Sequence, residues 1–334
     1  MMSIRQAAEA LINALACMAM IVSAGVACAQ PAATKLDVMI FAGVQNLPLF
    51  AAQAQGYFAR RGLAVQTHVA PSSQELRDGL AAGRYQIVHT SVDNAVAMAE
   101  LAKVDIVVLM GGDNGFNNLF VQQDVRSLAD LRGRTVLVDA PNTAFAIMLY
   151  KALALNGLKR GDYEIKPVGA TRFRLEGMQK EKSHAAAMLN LPFSIQARRA
   201  GLKDMGVAVD MIGPYLSTTG FTLRNWPAAN ADTLTRYIQA YVEGLRWALT
   251  PANREAAIGL LAAGLKLPTD IAGETYDIGI HRMTGFARDA KVDMEGFRNV
   301  LKLRAEIEGQ WGGNPPPPER YLDLSHYERA MKGM

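Results

Sequence analysis

Small hydrogen-bonding side chains gather at the points where short apolar runs hand over to helical ones. Early in the chain they are Asn46, then Ser72 and Ser73, then His89, Thr90 and Ser91. Later they are Asn142 and Thr143, then Thr171 and Arg172, then Asn190. Such residues have two uses. A hydroxyl or amide oxygen caps a helix by accepting from its first-turn N–H groups. The same side chains, helped by the positive end of the helix dipole, can hold a polar or anionic ligand. Arg172 is the only cation at these junctions and would pair a carboxylate or sulfonate in a fork. Asn142 and Thr143 are expected to cap their helix and also to face a solute. Asn118 and Thr219, from two polar stretches further along, complete the expected ligand-binding set.

Catalytic and metal chemistry find little support. The five histidines, at 68, 89, 184, 281 and 326, share no metal-ligand spacing. There is no HExxH, GxSxG, P-loop or GxGxxG pattern. No metal, cofactor or catalytic residue is expected. His89 and Asp93 lie four apart, as a base and its orienting acid would, but no nucleophile accompanies them. "GGDNG" at 111–115 matches a phosphate loop only in composition. The formal net charge of +4 comes without Lys/Arg blocks, which argues against a nucleic-acid partner.

The elements that must position these residues alternate. Runs at 35–43, 63–70, 84–90 and 104–111 read as strands, with helical runs at 46–62, 72–83 and 91–102 between them. The pattern restarts with strands at 163–170 and 184–190 and helices at 171–181 and 191–201. Repeated βα implies mostly parallel sheets covered by helices, with sites beyond the carboxyl ends of the strands. "VAPSSQELRDGLAAGRYQIVHTS" from Val69 and "VGATRFRLEGMQKEKSHAAAMLN" from Val168 share element order and lengths at an offset of 99. The expectation is an α/β chain of two similar lobes. Segments 35–115 and 220–334 would form lobe 1 and 120–215 lobe 2, with hinge crossings near 112–122 and 213–223. Beyond Trp226 the chain reads as helical, and "NPPPPERY" as a stiff connector before a last short helix.

The N-terminus points to export. Arg5 precedes an apolar stretch from Leu11 to Ala29 that closes with "ACAQ", the small-x-small pattern of a signal peptide cut after Ala29. Retention as a membrane anchor is the alternative. Both cysteines, Cys17 and Cys28, fall inside this segment, so the mature chain would carry neither a disulfide nor a thiol.

Several stretches together, "NLPLFAAQAQGYFARRGLAV", "SLADLRGRTVLVDAPNTAFAIMLYKALALNGL", "HAAAMLNLPFSIQARRAGL" and "TLRNWPAANADTLTRYIQAYVEGLRWAL", resemble the periplasmic substrate-binding proteins of ABC importers. The similarity is to the sulfonate/nitrate/taurine branch, which includes thiamine-precursor binders, and runs from about residue 36 to 262. It departs from that pattern at Gln86, where an aspartate is usual, and at "EKSHAAA" in the second half. The resemblance implies a type II periplasmic-binding fold and a receptor that closes its lobes over a small solute. The solute would be a sulfonate, a carboxylate or a heterocycle. The implied partner is an ABC permease in the inner membrane, met by a monomer in the periplasm. An exported enzyme on the same scaffold and a receptor feeding a membrane sensor are the alternatives. Related pyrimidine synthases of yeast type use a cysteine-rich motif that the mature chain lacks.

Overall fold

Two five-stranded sheets carry the chain. A computed structural model describes residues 32–281 and 285–334. The expected signal segment 1–29, with its cut after Ala29, lies outside the described residues.

The first sheet contains β1 (Thr34–Ile40), β2 (Leu63–Val69), β3 (Ile87–Ser91) and β4 (Ile106–Gly111), together with β10 (Thr218–Leu223). Its order is β2-β1-β3-β10-β4. The second contains β5 (Asn117–Val121), β6 (Thr135–Val138), β7 (Glu164–Pro167), β8 (His184–Asn190) and β9 (Lys203–Val207), in the order β7-β6-β8-β5-β9. In each sheet the strand inserted next to the last is antiparallel to both neighbours, and the other described pairings are parallel. Each inserted strand arrives from the other half of the chain, so two crossings join the lobes. This is the two-lobed, mostly parallel α/β fold that the sequence pattern implies.

The strands look as their burial demands. β4 and β8 are buried along their whole length and are mostly apolar, as strands covered on both faces must be. β9 escapes sequence reading because every residue in it is half-buried and its pairing with β5 is irregular, so no alternation marks it.

The helices that matter to the site follow the strands. In lobe 1 they are α1 (Leu47–Ala54), α2 (Ser73–Ala81) and α3 (Val92–Glu100). In lobe 2 they are α4 (Ala144–Leu155), α5 (Thr171–Lys180), α6 (Phe193–Arg199) and the short α7 (Ala208–Ile212). The C-terminal part is helical, with α8 (Trp226–Ala248), α9 (Arg254–Leu265), α10 (Thr269–His281), α11 (Met294–Glu308) and α12 (Ser325–Lys332). Tyr237, Tyr241 and Leu245 of α8 bury against Leu36, Val38 and Ile40 of β1 and Leu49 of α1. Full burial of each such aliphatic side chain contributes about 2 kcal/mol. Gly244 lets α8 sit on α1, since a Cβ there would come within 2.2 Å of the Pro48 carbonyl oxygen. Helix α11 packs against α4, so the C-terminal part braces lobe 2 as well as lobe 1. Among the described residues no single helix is long and apolar enough to cross a membrane.

Candidate functional site

The carboxyl ends of β1 and β3 face those of β6 and β8 across a cleft. Lobe 1 supplies Phe41, Gln45, Ser73, His89, Thr90, Ser91 and Asn94. Lobe 2 supplies Asp139, Thr143, Ala144, Phe145, Thr171 and Asn190. The crossings supply Asp113, Phe116 and Asn117 on one side and Ser217 and Thr218 on the other. Of the expected ligand set, Ser73, His89, Thr90, Ser91, Thr143 and Asn190 line this space.

The other five do not, each for an identifiable reason. Asn118 and Thr219 are one residue out of register: alternate strand residues face opposite ways, so Asn117 and Thr218 meet the cleft instead. Asn118 donates to both carboxylate oxygens of Asp204 at 3.1 and 3.0 Å, and Thr219 donates to the Thr90 carbonyl at 3.4 Å. Asn46 folds back and donates to the Phe41 carbonyl at 2.6 Å, leaving Gln45 at the opening. Arg172 points to water, with its guanidinium over the Phe173 ring, while Thr171 faces inward. Asn142 accepts from both terminal nitrogens of Arg77 at 3.3 Å, a bond between lobes rather than toward the cleft.

Capping accounts for few of the junction residues. Ser72 accepts from Glu75 N–H at 3.2 Å and Ser91 from Asp93 N–H at 3.4 Å. The residues that open α1, α4, α5 and α6 make no side-chain cap bond. Thr143 donates instead to the Ala140 carbonyl at 3.0 Å. The departure at Gln86 is remote from the cleft, because Gln86 precedes β3 at its amino end, where its side chain accepts from Asp37 N–H at 2.8 Å.

Sequence reading missed the acids. Asp139 immediately follows β6, and its carboxylate accepts from the Ser73 hydroxyl and, at 3.5 Å, from Ser73 N–H, the first residue of α2. A carboxylate from one lobe thus caps a helix of the other. The guanidinium groups of Arg77 and Arg174 interact electrostatically with it. Arg174 is fully buried, donates to the Met188 and Gly169 carbonyls and to Thr171 Oγ1, and lies 4.2 Å from the Phe145 ring centre. Burial lowers its pKa to about 10. Nearby, Gly169 has φ of 83° and would bring a Cβ within 2.9 Å of the Pro71 oxygen; that oxygen accepts from Ala170 N–H across the lobes at 3.0 Å. The signal for Asp139 was its place as the first residue past a strand's carboxyl end.

Asp113 lies on the first crossing and is only 2% exposed. Its Oδ1 accepts from Gly115 N–H at 2.8 Å, while Oδ2 has no partner at bonding geometry. Burial raises its carboxyl to about 6, against the pull of Gly115 and of the neighbouring Thr218 and Ser217. His89 Nε2 lies 2.9 Å from the Tyr237 hydroxyl and its ring stacks on Tyr241 at 5.0 Å. Burial pushes its pKa down to about 3, so the ring is neutral at neutral pH. Asp93 does not orient His89. It accepts from Arg304 Nη1 at 3.0 Å, the Tyr215 hydroxyl at 2.6 Å and the Ser91 hydroxyl at 3.0 Å. Among the described residues no group of three His, Cys, Asp or Glu is placed to hold a metal ion.

A cleft between two α/β lobes, furnished by strand ends and by both crossings, defines the class: a protein of the periplasmic-binding-protein fold. The chain belongs to the NMT1/THI5 like family, whose model matches residues 44–254. A comparison with curated protein sequences finds no match. Solved structures show the fold. The ligand-binding component of an ABC-type import system from Staphylococcus aureus has a TM-score of 0.75 at 12% identity, covering 89% of this chain and 99% of that one. The periplasmic nitrate-binding protein of Synechocystis PCC 6803 has a TM-score of 0.75 at 14% identity, covering 90% and 89%. The alkanesulfonate-binding protein of Xanthomonas axonopodis pv. citri, bound to MOPS, has a TM-score of 0.70 at 15% identity, covering 89% and 100%.

Proposed function

We propose that the protein is a periplasmic receptor that captures a small polar organic solute and hands it to an ABC importer. The observation that carries this reading is the cleft itself, because both lobes and both crossings line it. A solute held there makes contacts in the closed form that one lobe alone cannot make, and such differential contacts are what drive closure. The hinge belongs at the crossings near 112–122 and 213–223, with 35–115 and 220–334 moving as one lobe and 120–215 as the other. The N-terminal segment acts as the export signal, the protein works as a monomer, and its macromolecular partner is the permease.

Binding without chemistry is the reading the side chains favour. His89 is held neutral against Tyr237 and Tyr241, and the acid expected to orient it is committed to Arg304. The Ser73 hydroxyl is committed to Asp139. Among the described residues no base stands beside a free nucleophile in the cleft, the arrangement covalent catalysis requires. Titration calorimetry with small amines, amides, carboxylates and sulfonates, paired with small-angle scattering, tests the reading. A receptor binds at least one class stoichiometrically, contracts on binding, and returns the solute unchanged by mass spectrometry. A converted solute, or binding with no contraction, would refute it.

A further inference from the structure

The side chains of the cleft differ from what an anion receptor needs. We propose that Asp113 anchors a protonated nitrogen of the solute, an ammonium, amidinium or guanidinium, with the Asn94 and Asn190 side-chain oxygens as further acceptors. This rests on the receptor reading and narrows its solute class.

Three observations carry it. First, the position beside the α2 N-terminus, where a solute carboxylate or sulfonate would be welcome, is already taken by Asp139, which accepts from Ser73 N–H and its hydroxyl. Arg77 and Arg174 interact electrostatically with that same carboxylate. Neither arginine lines the cleft, and among the described residues no lysine or arginine does.

Second, the fully buried lining side-chain atoms left without a partner are acceptors or can serve as such: Asp113 Oδ2, Asn94 Oδ1, Asn190 Oδ1 and His89 Nδ1. The residues that carry them are 2 to 6% exposed. Two carbonyls orient the Asn190 amide, whose Nδ2 donates to Leu191 at 3.2 Å and Ala42 at 3.4 Å, and Asn94 Nδ2 donates to Thr90 Oγ1 at 3.2 Å. Buried acceptors without partners cost stability until a donor arrives.

Third, among the described residues no cation balances Asp113, whose carboxyl burial pushes up to about 6. A charge left uncompensated in a dry site is expensive unless a ligand compensates it. An N–H⁺ donor at Oδ2 would do so through a charge-assisted bond. Phe41, Phe116 and Phe145 supply apolar wall for the body of such a solute.

Ligands of one shape and opposite charge decide the matter. Benzamidine and benzylamine are titrated against benzoate and benzenesulfonate on the wild type, on Asp113→Asn and on Asn94→Ala, with melting temperatures recorded for each. The expected result is heat from the cationic pair alone. Affinity falls at least about 30-fold in Asp113→Asn, the lower bound for removing one partner of a buried charge pair, and less in Asn94→Ala. Asp113→Asn does not lower the melting temperature, so the lost affinity is not lost folding. Binding of benzoate or benzenesulfonate as tight as that of benzamidine would overturn the inference and leave the receptor reading standing. Amidine binding that Asp113→Asn leaves unchanged would overturn the assignment to Asp113. If no compound binds and native mass spectrometry of the purified protein shows no retained solute, the inference and the receptor reading fall together.

Discussion

Two carboxylates sealed from water mark two regions of the molecule, and they are treated in opposite ways. Asp93, in the first turn of α3, is fully enclosed together with Arg304, and Tyr215 and Ser91 complete its hydrogen bonds. Asp113, on the crossing at the cleft floor, keeps one oxygen free and has no cation among the described residues. Arg304 also donates to the Asn142 carbonyl at 3.2 Å, so this ion pair ties the turn before α4 to the C-terminal helices. The difference separates a structural acid from a functional one. Where the fold has no use for an acid it supplies every partner, and where a ligand is expected it leaves an oxygen unmet.

Removing the partner of the satisfied acid should give the largest effect. Arg304→Met leaves the Asp93 charge buried with only hydroxyl donors, and breaking such a pair costs about 3–5 kcal/mol. Urea unfolding at pH 7 measures it. The double variant Asp93→Asn, Arg304→Met should recover much of the loss, since no stranded charge remains. A loss below about 1 kcal/mol in the single variant would place the two acids in one class and dissolve the contrast.

The unmet acid gives a smaller effect of opposite sign. Asp113 titrates near 6 when folded and near 3.8 when unfolded, so between those values the folded state holds the extra proton. Its contribution is therefore full below about pH 4 and is lost as pH rises through about 6. The two-unit gap is worth about 3 kcal/mol. Asp113→Asn should be the more stable protein at pH 7 without solute, and the advantage should shrink toward pH 4. His89 pushes the other way in the same window. Its folded pKa of about 3 against 6.5 means that its stability is present above pH 6.5 and is lost as pH falls. The difference between variant and wild type, measured by melts from pH 4 to 7, isolates the aspartate. A difference flat across that range would show that Asp113 carries no burial cost.

The lobes were legible in the sequence because their strands and helices repeat, and buried strands such as "HAAAMLN" are mostly apolar. The cleft was legible in outline, since functional groups at strand ends follow from topology alone. Its chemistry was not. Asn117 against Asn118 and Thr218 against Thr219 turn on which face of a strand is inward, and adjacent residues of like type give no clue to that. Arg172 drew attention as the visible cation, yet its Cβ points outward and Arg174, two residues on, is the buried one. Asp113 and Asp139 looked like loop acids, because burial of a charge depends on what the opposite lobe brings to it.

The smallest effect falls on the seam between the two regions. Asn142→Ala removes the acceptor for Arg77 but leaves the Asn142 carbonyl bonded to Arg304. The lost bond is half-exposed and lies at the long end of bonding distance, so about 1 kcal/mol is expected. Because it joins the lobes, the loss weighs on the closed form more than on either lobe alone. Solute affinity should then drop by about fivefold, the equivalent of that energy, while the melting temperature moves by only about 2–4 °C. A capping residue would behave in reverse, lowering the melting point with affinity unchanged. Calorimetry and melting on this one variant thus separate a clasp between lobes from a helix cap, and a clasp is what the Arg77 contact describes.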